Sequence, residues 1–184
     1  MAGRIPLRNA ARVIRNGGVI AYPTEGVFGL GCDPLDPWAV HRILAIKKRD
    51  PAMGLIVIAS HPSQLDGWIE GKSLPEADDS APITWIAPAT PAVPEWVRGK
   101  HAGVAVRIVT HPVAAALCDE AGMPIISTSA NFHGKPTARN TYVLRNRFRD
   151  LVDFIVPGRC GPAAGPSEIR DLASGRTLRK GSAG

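Results

Sequence analysis

The chain has 184 residues, 45% of them hydrophobic and 21% charged. One domain with a sizeable core is the expected size class, and the composition argues against a disordered, fibrous or membrane-embedded chain. Its formal charge of +6 predicts attraction to polyanions without saying which.

No apolar run approaches the ~18 residues of a membrane span. The opening "MAGRIPLRNAARVIRNGG" mixes arginines with single apolar residues, so no export signal is expected. Cys32, Cys118 and Cys160 are widely spaced and odd in number. They fit reduced thiols in the cytoplasm better than a disulfide framework or a CxxC metal site.

In chain order, residues 6–15 are expected to form a helix that stops at Asn16-Gly17-Gly18. "VIAY" (19–22) reads as a short buried strand, and "YPTEGVFGLG" (22–31) as a glycine-rich loop with Thr24 and Glu25 just past that strand. Asp36 and Pro37 supply an N-cap and first-turn pair for a helix to about Lys48. "LIVIAS" (55–60) is a second buried strand, with a short helix after Pro62. Residues 71–80 read as a loop or frayed helix. "PITWIAP", "GVAVRIV" and "PIISTSA" are three further strands, and a helix from Pro112 to about Ala121, capped by Thr110, separates the last two. Asn140 caps a helix rich in arginine, "VDFIV" (152–156) follows as a strand, and the tail forms a hairpin around Ala173-Ser174-Gly175. Strands alternating with helices predict an α/β fold with a mixed parallel and antiparallel sheet.

Three places carry chemistry. In the helix after Pro37, Val40, Ile43 and Leu44 form an apolar stripe that continues to Lys47. Lys47 either snorkels to water or, with Arg49 just beyond it, forms a cationic corner that a polyphosphate could approach. In "IISTSANFHGKPT" a strand runs into Ser127, Thr128, Ser129 and Asn131, and alternation puts Ser127 and Ser129 on one side. The glycine-rich loop lies at the carboxyl end of a strand, where open α/β sheets usually bind ligands. From Lys135 to Arg149 there are five cations and no acid, which fits either a solvated helix face or a nucleotide or RNA surface. P-loop, GxGxxG, GxSxG and HExxH motifs are missing, so no conventional triad or protein-held metal is expected.

The blocks "YPTEGVFGLGCDP", "IKKRDPAMGLIVIA", "VAVRIVTHPV", "STSANFHGKP" and "GPSEIRD…TLRKG" occur in this order across nearly the whole chain. Together they resemble the threonylcarbamoyl-AMP synthases, the YrdC-like family, in its short single-domain TsaC form. The resemblance implies one YrdC-like domain over 1–184, a twisted mixed sheet with helices around a concave cavity. It also implies L-threonylcarbamoyladenylate synthase activity. L-threonine, bicarbonate and ATP, with Mg²⁺, would give threonylcarbamoyl-AMP and pyrophosphate, and other tRNA-modifying proteins would use the product on an adenosine beside the anticodon. By the same resemblance Lys47 and Arg49 are the catalytic cations and hold ATP, together with Met53, Ser129, Asn131, Thr137 and Arg179. Thr24, Gly26, Arg107, Ser127 and Ser167 are implied for threonine, with Arg107 on its carboxylate. Met53 stands where members often carry lysine, Gly26 where many carry threonine, and "DSAPIT" replaces a tryptophan-proline-glycine-proline segment. Two alternatives stay open: an RNA-binding module, and a paralogue that adenylates a different carbamate.

Overall fold

In the computed structural model, residues 3–75, 77, 82–163 and 167–181 are described. They form the expected α/β fold around one nine-stranded sheet. In chain order the elements are α1 (Arg4–Arg15), β1 (Ile20–Pro23), β2 (Phe28–Gly31), α2 (Pro37–Lys47), β3 (Ile56–Ala59), β4 (Ile83–Pro88), α3 (Glu95–Arg98), β5 (Gly103–Ile108), α4 (Pro112–Ala121), β6 (Ile125–Ser129), α5 (Thr141–Phe148), β7 (Phe154–Ile155), β8 (Glu168–Asp171) and β9 (Thr177–Arg179). Single 3₁₀ turns occupy Pro51–Met53 and Pro62–Leu65.

Strand order is β7-β1-β2-β6-β3-β5-β4-β8-β9. The β1/β7, β3/β5 and β4/β8 pairs are parallel and the other neighbours antiparallel. β6 joins the two halves, pairing Leu30 with Thr128 on one side and Val57 with Ile126 on the other.

The core lies on both faces of the sheet. Ile20, Tyr22, Ile58 and Ile125 pack with Leu7, Ala11 and Ile14 of α1 and Ala114 and Leu117 of α4. Ala21, Leu30, Val57 and Ile126 face the other way, toward Val40 and Ile43 of α2 and Leu144 and Phe148 of α5. Burial on both faces explains why these strands are short continuous apolar runs.

The caps behave largely as their chemistry dictates. Asp36 accepts from the backbone N–H of Trp38 and Ala39, and Asn140 from that of Val143. Thr110 does not cap α4: the N-cap is His111, with no side-chain cap bond. Instead Glu25, from the turn between β1 and β2, accepts from the backbone N–H groups of Thr110 and His111.

The largest departure from expectation is β2, since "FGLG" looks like loop. Its glycines serve close packing: a Cβ on Gly31 would lie 2.7 Å from the Ile126 carbonyl oxygen and 2.8 Å from the Tyr22 ring. The helix at Glu95–Arg98 was also unforeseen, while "VDFIV" contributes only Phe154–Ile155 to the sheet. Residues 71–75 and 77 form neither helix nor strand; the rest of that predicted loop, and Asp79, Ser80 and Ala81 of "DSAPIT", lie outside the described residues. Among the described residues no helix is long and apolar enough to cross a membrane.

Candidate active site

The β1–β2 turn, the carboxyl end of β6, one side chain of β5 and the start of β8 meet around a cavity of about 230 Å³. That volume is just below the ~300–1,000 Å³ of typical small-molecule pockets. Among the described residues, three guanidinium groups (Arg49, Arg107, Arg179), one carboxylate (Glu25) and the hydroxyl side chains of Thr24, Ser127, Thr128, Ser129 and Ser167 line it.

Lys47 ends α2 and is buried, 7% exposed, so the snorkelling reading fails. Lys48 takes a left-handed conformation at the C-cap, φ 48°, which turns the chain sharply before Arg49. Lys47 Nζ donates to the Ser129 carbonyl at 2.5 Å, the Asn131 carbonyl at 3.1 Å and Asn131 Oδ1 at 2.9 Å. Ser129 Oγ donates to the same Asn131 Oδ1 at 2.7 Å. The lysine thus ties the end of β6 to the end of α2. Burial, helped by the nearby Arg49 charge, pulls its ammonium down to about 8. Arg49 points Nε and Nη2 at the Gly54 carbonyl, at 3.2 and 2.9 Å, and burial lowers its pKa too.

Arg107 projects from β5 into the cavity, and its Nη2 lies 3.6 Å from Glu25 Oε2. The other carboxylate oxygen of Glu25 accepts from the Thr110 and His111 N–H groups at 3.2 and 3.5 Å. Burial alone would raise the Glu25 carboxyl; the Arg107 charge and these N–H groups outweigh it and hold the group below its ordinary value. Among the described residues, buried side-chain polar atoms without a hydrogen-bond partner are Tyr22 Oη, Glu25 Oε2, Arg107 Nε and His111 Nδ1. Glu25 and Arg107 line the cavity, while Tyr22 and His111 adjoin them without lining it. Unsatisfied buried polar groups are costly, and two of them on facing side chains of one cavity mark it as a candidate site.

Of the residues implied by the resemblance, Thr24, Gly26, Arg49, Arg107, Ser127, Ser129, Ser167 and Arg179 line the cavity. Thr24 Oγ1 is already bonded to the Val27 carbonyl, at 2.7 Å, and therefore shapes the turn. Gly26 packs against the chain at Ala163: a Cβ there would run into the Ala163 carbonyl oxygen, which accounts for glycine at this position. Ser167 Oγ is bonded to Thr84 Oγ1 at 2.8 Å, and its carbonyl accepts from Arg179 at 3.0 Å. Lys47 and Asn131 stand beside the cavity without lining it. Met53, 58% exposed, and Thr137 are not brought to it. Glu25 is the functional group that sequence reasoning left unassigned; its only signal was a polar residue just past a buried strand. Among the described residues no three His, Cys, Asp or Glu side chains cluster as metal ligands.

The family model Sua5_yciO_yrdC, described as "Telomere recombination", matches residues 12–181. A threonylcarbamoyl-AMP synthase of Alkalilimnicola ehrlichii is 48% identical over 183 residues, covering 96% of each chain. Among solved structures, P. abyssi Sua5 complexed with L-threonine superposes with a TM-score of 0.84 at 32% identity, covering 95% of this chain. The match takes in 54% of the Sua5 chain, so this chain spans about half of that protein. E. coli YciO has a TM-score of 0.80 at 26% identity, with 97% of this chain and 90% of that one covered. By sequence over nearly its whole length and by fold, the chain belongs to the Sua5/YciO/YrdC family.

Proposed function

We propose that this chain, acting as one domain over residues 1–184, is an L-threonylcarbamoyladenylate synthase, a nucleotidyltransferase that joins L-threonine, bicarbonate and ATP. The observation that carries the reading is the cavity itself. Among the described residues, three arginines and five hydroxyl side chains converge there with no nucleophile–base pair. Such a set suits a reaction that needs positioning and charge neutralisation rather than covalent capture.

The chemistry is self-contained. The threonine ammonium first gives up a proton, and the free amine then bonds to the carbon of bicarbonate with loss of water to give a carbamate. A carbamate oxygen then bonds to the α-phosphorus of ATP as the bond to the β-phosphate oxygen breaks, and the electron pair leaves with pyrophosphate. In this reading Arg107 takes the threonine carboxylate through its forked donors, assisted by Ser127 and Ser167, while Thr24 and Gly26 form the wall beside the turn. The nucleotide lies across the Lys47–Arg49 corner, with Ser129, Asn131 and Arg179 at its phosphates. The enclosed volume suits the amino acid and leaves the nucleotide to extend outward. Met53 and Thr137 could contact only that outer part. A dry, enclosed site protects both the carbamate and the mixed anhydride from hydrolysis.

The described residues do not fit a resident Mg²⁺: the one carboxylate among them that lines the cavity, Glu25, is engaged by Arg107 and two backbone N–H groups. Mg²⁺ would arrive as the counter-ion of the triphosphate. The product would pass in the cytoplasm to other tRNA-modifying proteins.

The deciding experiment is pyrophosphate release that requires threonine and bicarbonate together, with products from threonine, serine and glycine compared by mass spectrometry. Preference for serine or glycine would favour a paralogue using another carbamate. The RNA-binding reading rests on a separate surface, where Tyr142, Arg145, Asn146 and Arg149 share one face of α5 beside β7. Retention of tRNA without any turnover would favour it.

A further inference from the structure

The cavity contains a carboxylate that the reaction as derived does not use. Glu25 is fixed from two sides: Oε1 by the backbone at the entry to α4, and Oε2 by the guanidinium of Arg107 at 3.6 Å. Both side chains are nearly buried, at 13% and 11% exposure. A pair built only for stability would close into a forked contact at ~2.7–2.9 Å. Here Arg107 Nε and Glu25 Oε2 are left without hydrogen bonds, so the fork is held in place but not saturated.

Among the described residues, the cavity's other charged groups are cations, Arg49 and Arg179. An unpaired Arg107 would add a third positive site open to any small anion, including bicarbonate and the phosphate tail of ATP, both of which this reaction requires nearby. With Glu25 beside it, that end carries no net charge. A bare anion that docks on Arg107 meets the carboxylate's repulsion at short range. An α-amino acid brings its own ammonium next to its carboxylate and cancels that repulsion.

We propose that Glu25 is a specificity-determining residue, which reserves the Arg107 end of the cavity for a zwitterionic amino acid and turns away carboxylates and phosphates that lack an ammonium. This rests on the synthase reading above and adds the means by which the amino-acid and triphosphate ends are kept apart.

The test is calorimetric binding to the intact chain of L-threonine and of 3-hydroxybutyrate, the same carbon skeleton without the amine. The wild type should prefer threonine by at least about tenfold, and Glu25→Gln should shrink that ratio by about tenfold or more, chiefly by tightening 3-hydroxybutyrate. Glu25→Asp, which keeps the charge, should keep the preference. An unchanged ratio in folded Glu25→Gln overturns the proposal, as does an equal loss in Glu25→Asp, which would assign the effect to shape. Should Glu25→Gln not fold, the wild-type measurement still decides, because equal affinity for the two ligands overturns it. A wild type that binds no threonine removes the synthase reading and this one together; threonine turnover with an unchanged ratio removes this one alone.

Discussion

The resemblance assigns Lys47 to ATP alone. Its three hydrogen bonds to the Ser129–Asn131 segment change that expectation. Lys47→Ala removes three part-buried hydrogen bonds and takes the donor from the Asn131 carbonyl, while the Ser129 carbonyl keeps the Asn131 N–H and Asn131 Oδ1 keeps Ser129 Oγ, so it should cost about 1–3 kcal/mol of stability as well as most turnover. A denaturant midpoint measured beside pyrophosphate release checks both. Arg49→Ala breaks only the contact to the Gly54 carbonyl, and should lose activity with a smaller midpoint shift. The pH behaviour of Lys47 has opposite signs for folding and for binding. Its folded pKa, about 8, lies below that of an unfolded lysine. Between these values the unfolded chain holds more protons, so this group's contribution to stability rises with pH, and its burial penalty is fully present below about 8. Triphosphate binding needs the ammonium, so affinity for a non-hydrolysable ATP analogue should fall about tenfold per pH unit above 8. A flat profile in calorimetry would place Lys47 off the phosphates. The inward direction of Lys47 was legible, because helical period alone puts it below Val40 and Leu44. Its partners were not, because they lie on β6.

At the scale of elements, β2 is where sequence reasoning failed and where packing is tightest. Glycine is a poor strand former by propensity, yet Gly31 must approach the β6 backbone and the Tyr22 ring closely. Gly31→Ala should therefore destabilise by about 1–3 kcal/mol through overpacking. Chemical denaturation measures this, and a neutral result would show that β6 can retreat. The turn joining β1 to β2 is held the same way. The Gly161 and Ala163 N–H groups donate to the Thr24 and Glu25 carbonyls at 2.9 Å, so Ala163 is held in the cavity wall. Such contacts are invisible to pattern analysis, since they depend on which loop lands on which turn.

For the whole molecule, the sheet gathers charges from distant segments into one hollow, so substrates should stabilise the fold. A ligand at a hundred times its dissociation constant adds about 2.7 kcal/mol. For a chain of this length that amounts to a rise of about 5–10 °C in Tm. Threonine with ATP should produce it in a thermal scan, whereas 3-hydroxybutyrate at the same concentration should not. What the sequence determined alone was whatever rests on local chemistry or on a short period: the α/β class, the caps at Asp36 and Asn140, the apolar strands, and the hydroxyl-rich end of β6. Its ordered motifs also pointed to the family. Only the tertiary structure decided that "FGLG" is a strand, that Lys47 bonds to Ser129 and Asn131, and that Glu25 faces Arg107. Each of these depends on strand order and register between segments far apart in the chain, and a carboxylate just past a strand takes on meaning only when another strand brings a cation to it.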